Sequence, residues 1–214
     1  MSENETRVHF RVIRFMYESG LRLHMKSVPL ATAAVLIAMA SLYLAGKVEE
    51  EHIKLRDVIN VCYRNLHKSK PPLEMGEAFW SLRDCVSDCE KFLLRMLQFK
   101  VVFNHPHRYM LHYLKYLRDW FDPYTWEDIP ITRTAWALLR DSYHGNICLK
   151  YKPQHIAIAL IYFSLTCHGI EVPHQEHVDN LWWQVFAEDI TLDKIQDIIS
   201  DTIDIYKMET TIQS

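Results

Sequence analysis

Two cysteines and two histidines come nearest to the makeup of a metal centre. Cys85 and Cys89 stand four residues apart, about one helical turn, and His105 and His107 follow. Thiolates and imidazoles hold zinc when four of them converge. Both cysteines also border an apolar stripe, and the spacing fits thiols packed in a core. His105-Pro106-His107 has no spaced Cys or His set of its own and reads as the opening of a helix. No metal and no cofactor are expected. The sequence holds no glycine-rich phosphate loop, no nucleophile elbow and no H-E-x-x-H pattern. No carboxylate pair stands out for acid–base work, so no catalytic residue is assigned and no enzyme is expected.

The chemistry left is that of recognition. The net charge is −3 and no Lys/Arg run is long enough to follow a phosphate backbone. Nucleic acid is therefore not expected as a partner. Five cysteines and a polar start from Met1 to Arg7 fit a reducing compartment better than a disulfide framework.

The elements that would position any site are helical. Glycine is scarce, with 5 in 214 residues, and no strand alternation of useful length appears. Helices are expected over Arg7–Ser19, from Pro29 to about Glu50 with Ser27 as cap, and over Leu55–Leu66. The clearest runs from Gly76 to Phe99, with Phe79, Leu82, Val86, Cys89, Leu93, Met96 and Leu97 on one stripe. Others are expected over Pro106–Phe121, Thr132–His144, Pro153 to Gly169, and Leu192–Tyr206. Pro123–Pro130 reads as a loop and the tail beyond Met208 as frayed. Val28–Gly46 carries no charge over 19 residues, which is a membrane-span length. Its six alanines with Pro29, Thr32, Ser41 and Gly46 make insertion weak, and no membrane partner is expected.

A repeat organises this series. Ile37-Ala38-Met39-Ala40-Ser41-Leu42-Tyr43 matches Ile156-Ala157-Ile158-Ala159-Leu160-Ile161-Tyr162 as I-A-x-A-x-x-Y, 119 residues on. A helix apolar on most faces belongs at the centre of a bundle, so two copies of one helical unit are expected. The copies are unequal. A full helix, Thr132–His144, precedes the second central helix. Only Leu21 to Ala34 precedes the first, so the first copy is short by one helix.

Several motifs, in order, resemble the cyclin family of the transcription type. Leu44-Ala45-Gly46-Lys47-Val48-Glu49-Glu50 resembles the end of the third helix of a first cyclin box. Glu90, within Asp88-Cys89-Glu90-Lys91-Phe92, is similar to the acidic position of its fifth helix, and His105-Pro106-His107 opens a second box. The resemblance implies an all-α fold of two tandem cyclin boxes, 7–103 and 104–208, the first lacking most of its second helix. It implies a regulatory subunit that binds a cyclin-dependent kinase, by resemblance the tenth, and acts in the nucleus and/or cytoplasm. Lys47, Glu90 and Glu50 are the implied kinase-binding residues; Glu49–Glu51 reads equally as a solvated helix end. A scaffold that does not activate, or a defective and interfering form, is the alternative. Core surface left bare by the missing helix costs about 25 cal/mol per Å², so reduced stability is expected.

Overall fold

The computed structural model describes residues 27–69, 71–173 and 181–213. The helix expected over Arg7–Ser19 lies outside them, as do the start of the first box and the side chain of Ser27. Nine α-helices occur among the described residues: α1 (Ser27–Val48), α2 (Leu55–Leu66), α3 (Glu77–Met96), α4 (Pro106–Trp120), α5 (Pro123–Asp128), α6 (Ile131–Ser142), α7 (Ile147–Lys150), α8 (Pro153–Cys167) and α9 (Leu192–Gln213). A 3₁₀ turn covers Trp182–Val185. The chain divides into two compact units, one ending at Phe103 and the other beginning at Asn104.

Three expectations need correction. The segment Pro123–Pro130 is not all loop: Pro123 sits at the start of α5, where a missing N–H costs nothing. The C-terminal helix runs to Gln213, past Met208. Met96 closes α3 half exposed, outside the stripe assigned to it. Among the described residues no helix is long and apolar enough to cross a membrane.

In the C-terminal unit α8 is the hub, packed against α4, α6 and α9. Residues Ile156 through Ile161 are all buried, so the helix touches neighbours on every side. Ala157, Ala159 and Ala135 of α6 let the backbones approach closely. The close approach is pinned by the Ser164 hydroxyl, which donates to the Ile131 carbonyl at 2.9 Å. A buried hydroxyl left without that acceptor would cost about 1–3 kcal/mol. The loop before α9 is tied back to the start of α8. Asp189 accepts from Lys152, and it pairs with His155 Nε2 at 3.0 Å. Those two partners hold the Asp189 carboxyl far below the usual carboxylate range.

In the N-terminal unit α1 packs on α2 and α3 around Met39, Ala40, Leu44, Val58, Val86 and Leu93. Here the repeat has a different environment. Ala157, Leu160 and Ile161 are fully buried, whereas their counterparts Ala38, Ser41 and Leu42 are exposed, Leu42 to 56%. Among the described residues, one side of α1 thus lacks the cover that α8 has. The buried Asn60 Oδ1 of α2 also has no donor among the described residues.

The repeat supplies its own stability test. Ile161→Ala should cost about 2–5 kcal/mol by opening a cavity. Leu42→Ala, at the matching position, should stay within about 0.5 kcal/mol. Urea unfolding of both variants measures the contrast, and equal losses would mean that α1 is covered on this side.

Candidate functional site

The C-terminal end of α1 and the core side of α3 meet at one ion pair. The helix survives to Val48 because its last turn can tolerate a chain that doubles back over it. Gly46 is buried there, and a Cβ on it would lie 3.1 Å from the Glu51 carbonyl oxygen and 3.5 Å from Ile53 Cδ1. Glu50 stops the helix in the left-handed region, with φ 59°. Its carbonyl lies 2.9 Å from His52 Nδ1, which further fixes the turn.

Glu90 sits on the apolar stripe of α3, one turn from Val86 and next to Leu93, and is only 7% exposed. A carboxylate so placed must be neutralised. Lys47 does this: its Nζ donates to Glu90 Oε1 at 2.7 Å. The Lys47 side chain remains 49% exposed, so the pair lies at the edge of the core with one member facing outward. Tyr43, one turn before Lys47, places its ring 4.1 Å from the ammonium. Partial burial pulls the Lys47 pKa down. The hydrogen bond and charge of Glu90, aided by Tyr43, outweigh it, and the net shift is upward from the ordinary lysine value.

Chemically, the site offers recognition on both sides of its charge pair. Among the described residues Glu90 accepts a hydrogen bond from Lys47 alone, so its second oxygen can take an incoming N–H. Lys47 has three donors; Glu90 takes one and Tyr43 engages the ammonium as well, which still leaves a donor for a carbonyl. The pairing is strong because it is charge-assisted, and it is pre-aligned by the Tyr43 ring.

The structure brings Lys47 and Glu90 together and leaves Glu50 apart. Glu50 is exposed, and its carboxylate has no partner among the described residues. Tyr43 and Gly46 are parts of the site to which the motif reading gave no role. The i, i+4 spacing of Tyr43 and Lys47 was the available signal. The two cysteines separate in character. Cys89 packs against the core and its thiol is pushed up by burial, then by Cys85 and Asp88. Cys85, expected in the core, is exposed. His107 stacks on Tyr143 at 5.6 Å and meets Trp136 edge-on at 5.2 Å. Among the described residues no cluster of three or more His, Cys, Asp or Glu could hold a metal ion. Trp183 is buried against Tyr162 at 5.5 Å, as packing.

No family model matches the chain. It is similar along nearly all its length to curated cyclins. Cyclin-T1-4 of Arabidopsis thaliana is 25% identical over 226 residues, covering 96% of this chain and 40% of the relative. Cyclin-L2 of Mus musculus is 28% identical over 225 residues, covering 94% and 41%. Cyclin-L1 of Homo sapiens is 28% identical over 224 residues, covering 95% and 40%. The chain thus spans about two fifths of these relatives. Each comparison runs over more positions than the 214 residues of this chain, so the relatives hold residues for which it has no counterpart.

Because the Lys47 pKa is raised on folding, the pair's contribution is complete below the ordinary lysine value, near 10.5. It is lost as pH rises through the higher folded value. Titration of the Lys47 side chain by NMR should show a pKa above that of a free lysine. It should drop in Glu90→Gln and, by less, in Tyr43→Phe, which loses the hydrogen bond and charge of the hydroxyl. An unshifted Lys47 in the unaltered chain would refute the pairing.

Proposed function

We propose that this chain is a regulatory cyclin without catalysis of its own, of the type of cyclin Q, also called cyclin M. Ala135-Trp136-Ala137-Leu138-Leu139-Arg140-Asp141-Ser142-Tyr143-His144-Gly145 and Trp182-Trp183-Gln184-Val185-Phe186 carry that finer likeness. The two compact units are read as two cyclin boxes. The observation that carries the proposal is the half-satisfied pair of Lys47 and Glu90, 2.7 Å apart, at the position the cyclin motifs give it.

A protein kinase needs a Lys–Glu pair between a strand and its mobile helix. A cyclin that docks on that helix selects its inward position and shifts the kinase population toward the active form. Lys47 would donate to carbonyls near the helix start, and the free oxygen of Glu90 would accept an amide N–H. Glu50, exposed on the adjoining turn, would add an outer contact. The partner proposed is a cyclin-dependent kinase, the tenth by resemblance, met in the nucleus and/or cytoplasm.

The bare side of α1 favours a second reading. Among the described residues, Ala38, Ser41 and Leu42 lack the cover that their counterparts on α8 have. A box short of one helix can bind a kinase without holding its mobile helix firmly. The chain would then act as a non-activating scaffold or an interfering form.

Co-purification with the kinase, followed by phosphorylation of a substrate peptide, tests both readings. Lys47→Glu and Glu90→Lys should each cost about 2–5 kcal/mol of binding, since each strands a charge at the contact. Binding that survives both single reversals would defeat the docking proposal. Under the second reading, the chain binds but activates less than a version with a full helix restored before Ile37. Equal activation by the two versions would remove that reading.

A further inference from the structure

The repeat shows what the bare face of α1 is shaped to hold. In α8, Ala157, Leu160, Ile161 and Ser164 follow one another at i, i+3, i+4 and i+7, on one face, and all four are fully buried. Ser164 marks the helix that this face meets. Its hydroxyl donates to the Ile131 carbonyl at the start of α6, 2.9 Å away, and α6 packs along α8. The same four positions in the first copy, 119 residues earlier, are Ala38, Ser41, Leu42 and Ala45. All four are exposed, Leu42 to 56%. The face by which α8 receives a helix is thus present on α1, without such a helix over it among the described residues.

Two features of this stripe identify the helix that fits it. The first is that the stripe is its own complement. Read in reverse, Ala38, Ser41, Leu42, Ala45 becomes Ala45, Leu42, Ser41, Ala38. Two copies of α1 laid antiparallel about residues 41 and 42 set alanine against alanine at both ends, and Ser41 against Leu42 twice at the centre. Leu42 is the one large side chain of the stripe. It fits the gap that Ala38, Ser41 and Ala45 leave on the other copy. Alanine at both ends lets the helix axes approach to about 8 Å, the close end of the usual range. The second feature is that the stripe carries no charge. Nothing on it repels an identical surface, whereas like charges brought together would. Met39, Ala40 and Leu44 hold the opposite side of α1 in the core. Lys47 stands about half a turn round the helix from Ala38, clear of the stripe.

We propose that α1 pairs antiparallel with α1 of a second copy of this chain, through Ala38, Ser41, Leu42 and Ala45. The stripe spans about two helical turns. That is far less than the roughly 800 Å² per partner buried in a standard stable interface. The pair is therefore weak: the chain is single at low concentration and pairs as concentration rises. The proposal does not rest on the kinase-docking reading, since the two share no residue and either can fail alone.

Sedimentation equilibrium of the full chain tests it. The average mass should rise from one chain toward two, with a Kd between about 10 µM and 1 mM. Leu42→Glu puts a carboxylate into the gap of the other copy and should raise the Kd about tenfold or more. Leu111→Glu, at a leucine of α4 that is 53% exposed, should leave it unchanged. Ala38→Lys should also weaken pairing. Adding Ala45→Glu in the same chain should restore it, because antiparallel copies bring residue 38 of one against residue 45 of the other. All these positions are exposed, so the urea midpoints of the single chain should not move. A mass that stays at one chain up to about 1 mM overturns the proposal and leaves the stripe to another protein or to residues outside the described ones. It is equally overturned if Leu111→Glu weakens pairing as much as Leu42→Glu, or if Ala45→Glu does not restore what Ala38→Lys removes.

Discussion

A carboxylate set on the core side of a helix constrains everything around it. Glu90 shares the inner stripe of α3 with Phe79, Val86 and Leu93, where an unpaired charge would be untenable. Its neutraliser must come from another helix at a fixed height, and that is Lys47 at the end of α1. For Lys47 to stand there, α1 must run unbroken to its last turn and the chain must fold back over a residue without a Cβ. Gly46, the left-handed Glu50 and the returning Ile53 are consequences of that demand. The pair is thus a tie between two helices that, among the described residues, keeps unused hydrogen-bonding capacity. Under the proposed docking, structure and recognition draw on the same two side chains.

The two units show how one sequence pattern yields different physics in different surroundings. The I-A-x-A-x-x-Y segment is apolar on most faces in both copies. In α8 all those faces are used, and small residues let three helices close in. In α1 one side is left facing outward, at Ala38, Ser41 and Leu42. Apolar surface that stays wet forfeits about 25 cal/mol per Å² of possible stabilisation. That deficit falls on the unit that carries the candidate site.

Much of the helical order was legible because it rests on local signals. Pro106, Pro153 and the apolar stripe of Leu55–Leu66 set their helix starts and faces, and the helices begin where those residues put them. Short elements were not legible. The helices Pro123–Asp128 and Ile147–Lys150 are too brief to establish a period, and tertiary contacts decide them. The choice of Lys47 and Glu90, 43 residues apart, came from motif resemblance rather than from spacing. The Tyr43 ring over Lys47 was one helical turn away and went unread, because Tyr43 also fitted the repeat. Burial misled at the margins of an amphipathic stripe: Cys85 borders it in mid-helix but is exposed, and Met96 had the right period but lies half exposed at its end.

The central claim is that Lys47 and Glu90 act on a partner as one unit. A double-mutant cycle on kinase affinity tests it most directly, using Lys47→Met, Glu90→Gln and the pair of changes together. The account predicts that each single change weakens binding strongly and that the double change is scarcely worse, a coupling of about 2 kcal/mol or more. Losses that simply add, or no loss at all, would contradict it.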